Sequence, residues 1–215
     1  KGVNAVEKMA PVIAALAPSH TLMASADAGG WLSFDARPGF EGLPQLCIGS
    51  VRGGISRDHD ASRPGLLPDV CSITVDIRMI PGMTRDSVRA DLERLLDGLA
   101  AADPDFRYEL EFMPDFFPHP FQGDRQAYVV GSLAAAHRHV TGKELRETEI
   151  RKFGATDASW MARAGIKGLI YGPAGRYLSR PDERGRVDDL VTAAKVYACV
   201  IADVCTRTRA EVGLD

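Results

Sequence analysis

One stretch constrains this chain more than any other. From Val70 to Ile80, the apolar residues Cys71, Ile73, Val75, Ile77 and Met79 alternate with Ser72, Thr74, Asp76 and Arg78. A period of two means a strand with one face on a core and one face turned away from it. Pro81-Gly82 ends the run, and Thr84 is placed to cap a following helix whose apolar side is Val88, Leu92, Leu95, Leu96 and Leu99.

The flanks extend the pattern. Val6, Met9, Ile13 and Leu16 mark a helix over Ala5 to Leu16, and Gln45 to Arg52 reads as a strand. Phe106, Tyr108, Leu110 and Phe112 alternate with charged residues, which predicts a further strand. The order α-β-β-α-β is that of a split β-α-β-β-α-β unit with its first strand expected ahead of Lys1. A long irregular Gly- and Pro-rich stretch covers Ser19 to Pro44.

Pro114, Pro118, Pro120 and Gly123 suggest a linker. Beyond it, helix and strand alternate. A helix is expected from Asp124 to about Val140 with Gly142 past its end, and a strand over Glu147 to Phe153. A short helix over Thr156 to Ala164 closes at Gly165. A buried strand over Ile166 to Tyr171 follows, then a long helix from Val187 to about Arg207. On that last helix Val191, Ala194, Tyr197, Ala198, Ile201 and Cys205 share one side. Alternation of this kind predicts a parallel sheet, for which two strands are too few.

Composition excludes some function classes. A net charge of −3 lacks the positive excess of a nucleic-acid binder, and no apolar run is long enough to cross a bilayer. Cys47, Cys71, Cys199 and Cys205 form no C-x-x-C pair and read as small buried hydrophobes, which suggests a cytoplasmic origin.

Few constellations carry chemistry. His137 and His139, two apart on a helix, cannot chelate one ion, and His59 sits in a polar loop. His20 and His119 stand beside turn residues. Arg78 shares the polar strand face with Asp76, so it is either half of a surface pair or a guanidinium fork for a carboxylate. Phe153 to Ala158 is a small-residue loop opening a helix, with Thr156 as its cap or its backbone as an anion cradle. The stretch YGPAGRYLSRPDERGRVDDL gathers Arg176, Arg180, Asp182, Glu183 and Arg184 in a loop at the end of a strand, where α/β proteins place chemistry.

Read together, four stretches resemble the C-terminal part of the zinc aminoacylase and carboxypeptidase family, which includes acetylornithine deacetylase, succinyl-diaminopimelate desuccinylase and glutamate carboxypeptidase. They are Gly2-Val3-Asn4-Ala5, Pro68-Asp69 with Val75-Asp76-Ile77-Arg78, Gly154-Ala155-Thr156-Asp157-Ala158, and Gly165-Ile166 with Tyr171-Gly172-Pro173. The resemblance implies a ferredoxin-like lid and dimerisation domain over 1–114. It also implies that 115–215 is the C-terminal α/β portion of a catalytic domain. It implies amide hydrolysis of an N-acyl amino acid or small peptide by a water that a divalent metal activates. The metal would be zinc, or cobalt or manganese, bound mainly by residues outside this chain, and the general base would lie outside it too.

By the same resemblance, Arg78 would hold the substrate carboxylate. Gly154, Thr156 and Asp157 would floor the pocket, and Gly172 and Gly175 would line its metal side. One departure stands out. Glu183 matches a family glutamate, but the ligand histidine four residues before it is replaced by Ser179, a poor zinc ligand. Gly65, behind an insert over Ser56 to Pro64, stands where several members have an asparagine that contacts substrate. The competing implication is a non-catalytic dimerising or amino-acid-binding homologue with a decayed metal site. The expected partners are a small molecule and a second copy of the chain.

Overall fold

The computed structural model describes residues 2–16, 45–58, 65–113, 120, 122–145, 156–173, 175–177 and 181–213. Two compact units emerge, one of residues 1–120 and 149–155, the other of 121–148 and 156–215.

In the first unit, α1 (Ala5–Leu16) starts at Asn4. The Asn4 side-chain oxygen accepts from the backbone N–H groups of Val6 at 3.0 Å and Glu7 at 3.4 Å. Pro11 lies inside α1 and donates nothing to the preceding turn. The helix is instead held by packing, with Val12 and Leu16 buried. Strands β1 (Gln45–Gly54) and β2 (Val70–Arg78) pair antiparallel, from Gln45 opposite Arg78 to Gly54 opposite Val70. The register slips between Ile48 and Ser50, leaving Gly49 as a bulge. On β2, Ile73, Val75 and Ile77 are half-buried while Ser72, Thr74 and Asp76 are exposed, as the alternation predicts.

Helix α2 (Arg85–Ala102) begins with a reciprocal cap. Thr84 Oγ1 accepts the Ser87 N–H at 3.1 Å, and Ser87 Oγ accepts the Thr84 N–H at 3.0 Å. Val88, Leu92 and Leu96 of α2 meet Val12, Leu16, Leu46, Ile80, Met83 and Phe106 in one buried cluster.

The segment Phe106–Phe112 departs from expectation, since it forms no strand. In a split β-α-β unit its ladder partner is an intervening strand. No described residue plays its part. The alternation survives through packing on α2 instead. Tyr108 donates to Asp97 at 2.6 Å, and the Arg89 guanidinium lies 4.5 Å from the Phe112 ring centre. The sheet is therefore two-stranded, and the ferredoxin-like lid is not confirmed among the described residues.

The second unit contains α3 (Tyr128–Thr141), α4 (Asp157–Arg163) and α5 (Val187–Cys205). Helix α3 ends at Gly142 in the left-handed region (φ 68°), and Gly165 (φ 77°) follows α4. Helices α3 and α5 run antiparallel, with the Tyr128 hydroxyl donating to the Asp203 carboxylate at 3.0 Å. Their seam is Leu133, Ala136 and Val196.

Three expectations change here. Ile166–Tyr171 forms no strand and pairs with no described strand. Leu169 and Tyr171 pack on the α3/α5 seam, whereas Ile166 and Ile170 stay 54% and 45% exposed. On α5, the side carrying Val191, Tyr197 and Ile201 is the exposed one, and Ala193 and Val196 are buried instead. The cysteines are not uniformly buried either, because Cys47 and Cys205 are exposed. The expected strand over Glu147 to Phe153 and the irregular stretch from Ser19 to Pro44 lie outside the described residues. Among the described residues, no helix is long and apolar enough to cross a membrane.

Candidate functional site

Two of the four family-like stretches, far apart in sequence, meet in the first unit. The Ala5 N–H donates to the Pro68 carbonyl at 2.9 Å, and a Cβ on Gly2 would lie 2.9 Å from Leu67. Asp69 then accepts the Ser56 N–H at 2.7 Å. These bonds tie the start of α1 to the entry of β2, and β2 in turn carries Arg78 as its last residue.

Arg78 Nε donates to Asp76 Oδ2 at 2.7 Å, with the two side chains 40% and 54% exposed. The i, i+2 spacing on a strand makes this pair possible, because both residues project from the same face. The guanidinium therefore starts with one carboxylate already beside it.

In the second unit, Thr156 precedes α4 with extended backbone (φ −138°, ψ 155°), but its side chain makes no capping bond. Thr156 Oγ1 is buried and has no hydrogen-bond partner among the described residues, and the same holds for Ser159 Oγ three residues on. The side-chain cap reading of Thr156 is therefore not borne out, and a buried hydroxyl with no described partner is costly. Asp157 opens α4 and is exposed, its charge favourable at a helix start. Gly154 lies outside the described residues.

The loop after Tyr171 is pinned at its base. Arg176 and Arg184 exchange backbone hydrogen bonds at 2.8 and 3.2 Å. Between them Tyr177 and Asp182 take positive φ, 60° and 64°, and the Arg184 guanidinium stands 5.2 Å from the Tyr177 ring centre. Gly175 sits just outside this bridge, where a Cβ would be 3.8 Å from the Arg184 carbonyl. At Gly172 a Cβ would be 3.6 Å from the Tyr197 hydroxyl. Both are ordinary contacts, so neither glycine is forced by space. Ser179 lies outside the described residues, as do His20, His59 and His119.

The structure adds a group that spacing alone could not reveal. His137 Nδ1 and the Tyr171 hydroxyl are 2.9 Å apart, and Tyr171 stacks edge-on with both His137 and Tyr197. The Tyr197 hydroxyl donates to the Tyr171 carbonyl, fixing the residue just before Gly172. Burial, with Tyr197 beside it, pushes the Tyr171 hydroxyl above its ordinary pKa. These residues lie 34 and 26 positions apart in sequence, so no local motif announces them. A shallow groove of about 640 Å³ along α3 and α5, lined by Arg125, Tyr128, His139, Asp203 and Arg207 among others, shares none of the predicted site residues.

No three His, Cys, Asp or Glu side chains among the described residues come together as a metal site. Glu183 is exposed in its loop. The described residues thus do not fit a resident metal by themselves.

The comparisons with known proteins agree with one another. Two curated relatives are N-formyl-4-amino-5-aminomethyl-2-methylpyrimidine deformylases. The one from Halalkalibacterium halodurans is 27% identical over 184 residues, covering 80% of this chain and 39% of the relative. The one from Bacillus subtilis is 26% identical over 221 residues, covering 97% of this chain and 48% of the relative. The chain thus spans less than half the length of either. The M20 family metallo-carboxypeptidase Sso-CP2 from Sulfolobus solfataricus shares the fold, with a TM-score of 0.54 at 16% identity, over 94% of this chain and 42% of that one. Residues 4–203 match the description Peptidase family M20/M25/M40, and the chain belongs to that family.

Proposed function

We propose that this chain is the substrate-contacting C-terminal part of a metal-dependent amide hydrolase. One observation carries the reading. Both curated relatives, matching 80% and 97% of the chain, are named for removing a formyl group from an amine. In this reading 1–114 is a lid and dimerisation domain and 115–215 completes a catalytic domain. Zinc, cobalt or manganese is held mainly by residues outside this chain. Gly154, Thr156, Asp157, Gly172 and Gly175 shape the pocket, and the Thr156 hydroxyl, without a partner among the described residues, supports that assignment. A homodimer through the first unit is supported by the outer edge of β1, which pairs with no described strand and leaves Val51 47% exposed.

Two substrate classes compete at Arg78. An N-acyl amino acid or peptide brings a carboxylate for the guanidinium fork. A formylated amine of the kind named in the relatives brings none, and the Asp76–Arg78 pair favours it, since Asp76 already offsets the arginine charge. The test is hydrolysis of N-formyl aminopyrimidine, N-acetyl and N-succinyl amino acids by the M20 protein that contains this chain, with divalent metal and with Arg78→Lys alongside. Lysine keeps the charge and loses the fork, so a carboxylate substrate would show a raised KM and an uncharged one would not. No turnover of any of them would leave the amino-acid-binding module as the better reading.

A further inference from the structure

The charged loop after Tyr171 brings two arginines together and gives neither a counter-charge. Arg176 and Arg184 stand directly opposite each other in an antiparallel bridge and exchange backbone hydrogen bonds at 2.8 and 3.2 Å. Residues paired in this way are about 5.5 Å apart at Cα, and their side chains project to the same face. Both residues are exposed. Two guanidinium groups so placed repel, because like charges directly opposite destabilise a strand pair.

Other arginines show what is missing. Arg57, Arg78, Arg138 and Arg207 each hold a carboxylate, at 2.7, 2.7, 2.6 and 3.0 Å. Among the described residues no carboxylate pairs with Arg176 or Arg184, although Asp182 and Glu183 share their loop. The backbone is bent to make this arrangement. Tyr177 takes a φ of 60°, a region that a bulky residue avoids. In extended backbone its ring would project away from the face that Arg176 and Arg184 share. The left-handed turn brings it back, and the Arg184 guanidinium stands 5.2 Å from the ring centre. A ring beside a guanidinium steadies it without using its N–H donors.

We infer that Arg176 and Arg184 form a clamp for a phosphate group, free or esterified. Two guanidinium groups supply two positive charges. A phosphate monoester carries about −1.5 to −2 at pH 7 and three acceptor oxygens, whereas a carboxylate carries a single charge. The planar forks of arginine match those oxygens bidentately. The clamp does not rest on the hydrolase reading, and phosphate binding by an inactive protein would still uphold it.

The test is calorimetric titration of the M20 protein that contains this chain with inorganic phosphate, glycerol phosphate and acetate, at the same metal content in every variant. Phosphate should bind at least about 10-fold tighter than acetate, and Arg176→Gln and Arg184→Gln should each weaken phosphate by about 10-fold. Arg176→Lys should recover only part of that, since it keeps the charge and loses the fork. Arg52→Gln removes an exposed arginine from β1 instead and should change nothing. Melting gives a second readout. Phosphate should raise the melting temperature of the wild type, as a ligand of the folded state does, and that of the glutamine variants less. Four results would overturn the inference. They are acetate binding as tightly as phosphate, wild-type phosphate affinity in both loop variants, an equal loss in Arg52→Gln, or failure of both loop variants to fold, which would make the two arginines structural. Whichever of inorganic phosphate and glycerol phosphate binds tighter names the source of the group, and either order upholds the clamp.

Discussion

Helices α2 and α5 are nearly equal in length, 18 and 19 residues, yet they live in different surroundings. Helix α2 has one apolar side, and that side is covered. Val88, Leu92 and Leu96 lie in a cluster of nine buried residues with the sheet, α1 and Phe106. Helix α5 has two apolar sides and covers one, in a buried cluster of only Leu133, Ala136 and Val196. Helix α2 buries its apolar side within the chain, whereas α5 carries more apolar sequence than it buries. Hydrophobic patterning thus states how much surface must be covered, and the contacts decide how much of it is.

The sharpest way to break this comparison is a matched pair of truncations. Leu96→Ala should cost about 2–5 kcal/mol, because the cavity opens inside a closed core. Ile201→Ala should stay within about 0.5 kcal/mol, since its side chain is 61% exposed. Denaturant titrations of both variants check it. Equal losses would mean that α5 is as well covered as α2.

A smaller effect probes how tightly the first unit is closed. A Cβ at Gly53 would collide with a Val6 methyl and lie 3.4 Å from the Cys71 sulfur, so the Val6 side chain or α1 must shift. Gly53→Ala should cost about 1–3 kcal/mol, as overpacking does. Partial recovery in Gly53→Ala/Val6→Ala would assign the loss to that contact. An unchanged midpoint would show that α1 sits loosely on β1.

The smallest effect is alkaline. The hydrogen bond to Asp97, with some burial and the charge of Asp97 and Glu93, pushes the Tyr108 hydroxyl up to about 12. Its folded pKa lies above the ordinary value of 10.0, so this contribution is complete below about pH 10 and fades as pH rises toward 12. A pH series of unfolding midpoints should show that loss in the wild type and not in Tyr108→Phe. An identical slope in both would free Phe106–Phe112 from its attachment to α2.

The local geometry around the candidate residues was legible unevenly. The pairing of Asp76 with Arg78 follows from strand spacing alone, and the start of α2 follows from Thr84. The family-like stretches placed Thr156, Asp157, Gly172 and Gly175 on a helix start and a strand-end loop. The His137–Tyr171–Tyr197 contact was not legible, because its members come from three elements. The Thr156 cap was misread for a related reason, since a threonine before a helix has the right chemistry and only the fold orients its hydroxyl.

The sequence by itself determined the local elements and the amount of apolar surface on each. Period two made β2, period 3.6 made α2 and α5, and Gly142 and Gly165 ended their helices, since each depends on neighbours within a few residues. The tertiary structure decided which apolar face found a partner. Phe106–Phe112 and Ile166–Tyr171 have the pattern of strands and lack ladders among the described residues, because a strand is completed by hydrogen bonds from another segment. Helix α5 turned inward its smaller side, with Ala193 and Val196, because close packing on α3 rewards small residues at the seam and leaves the larger Leu190, Val191 and Ile201 facing out.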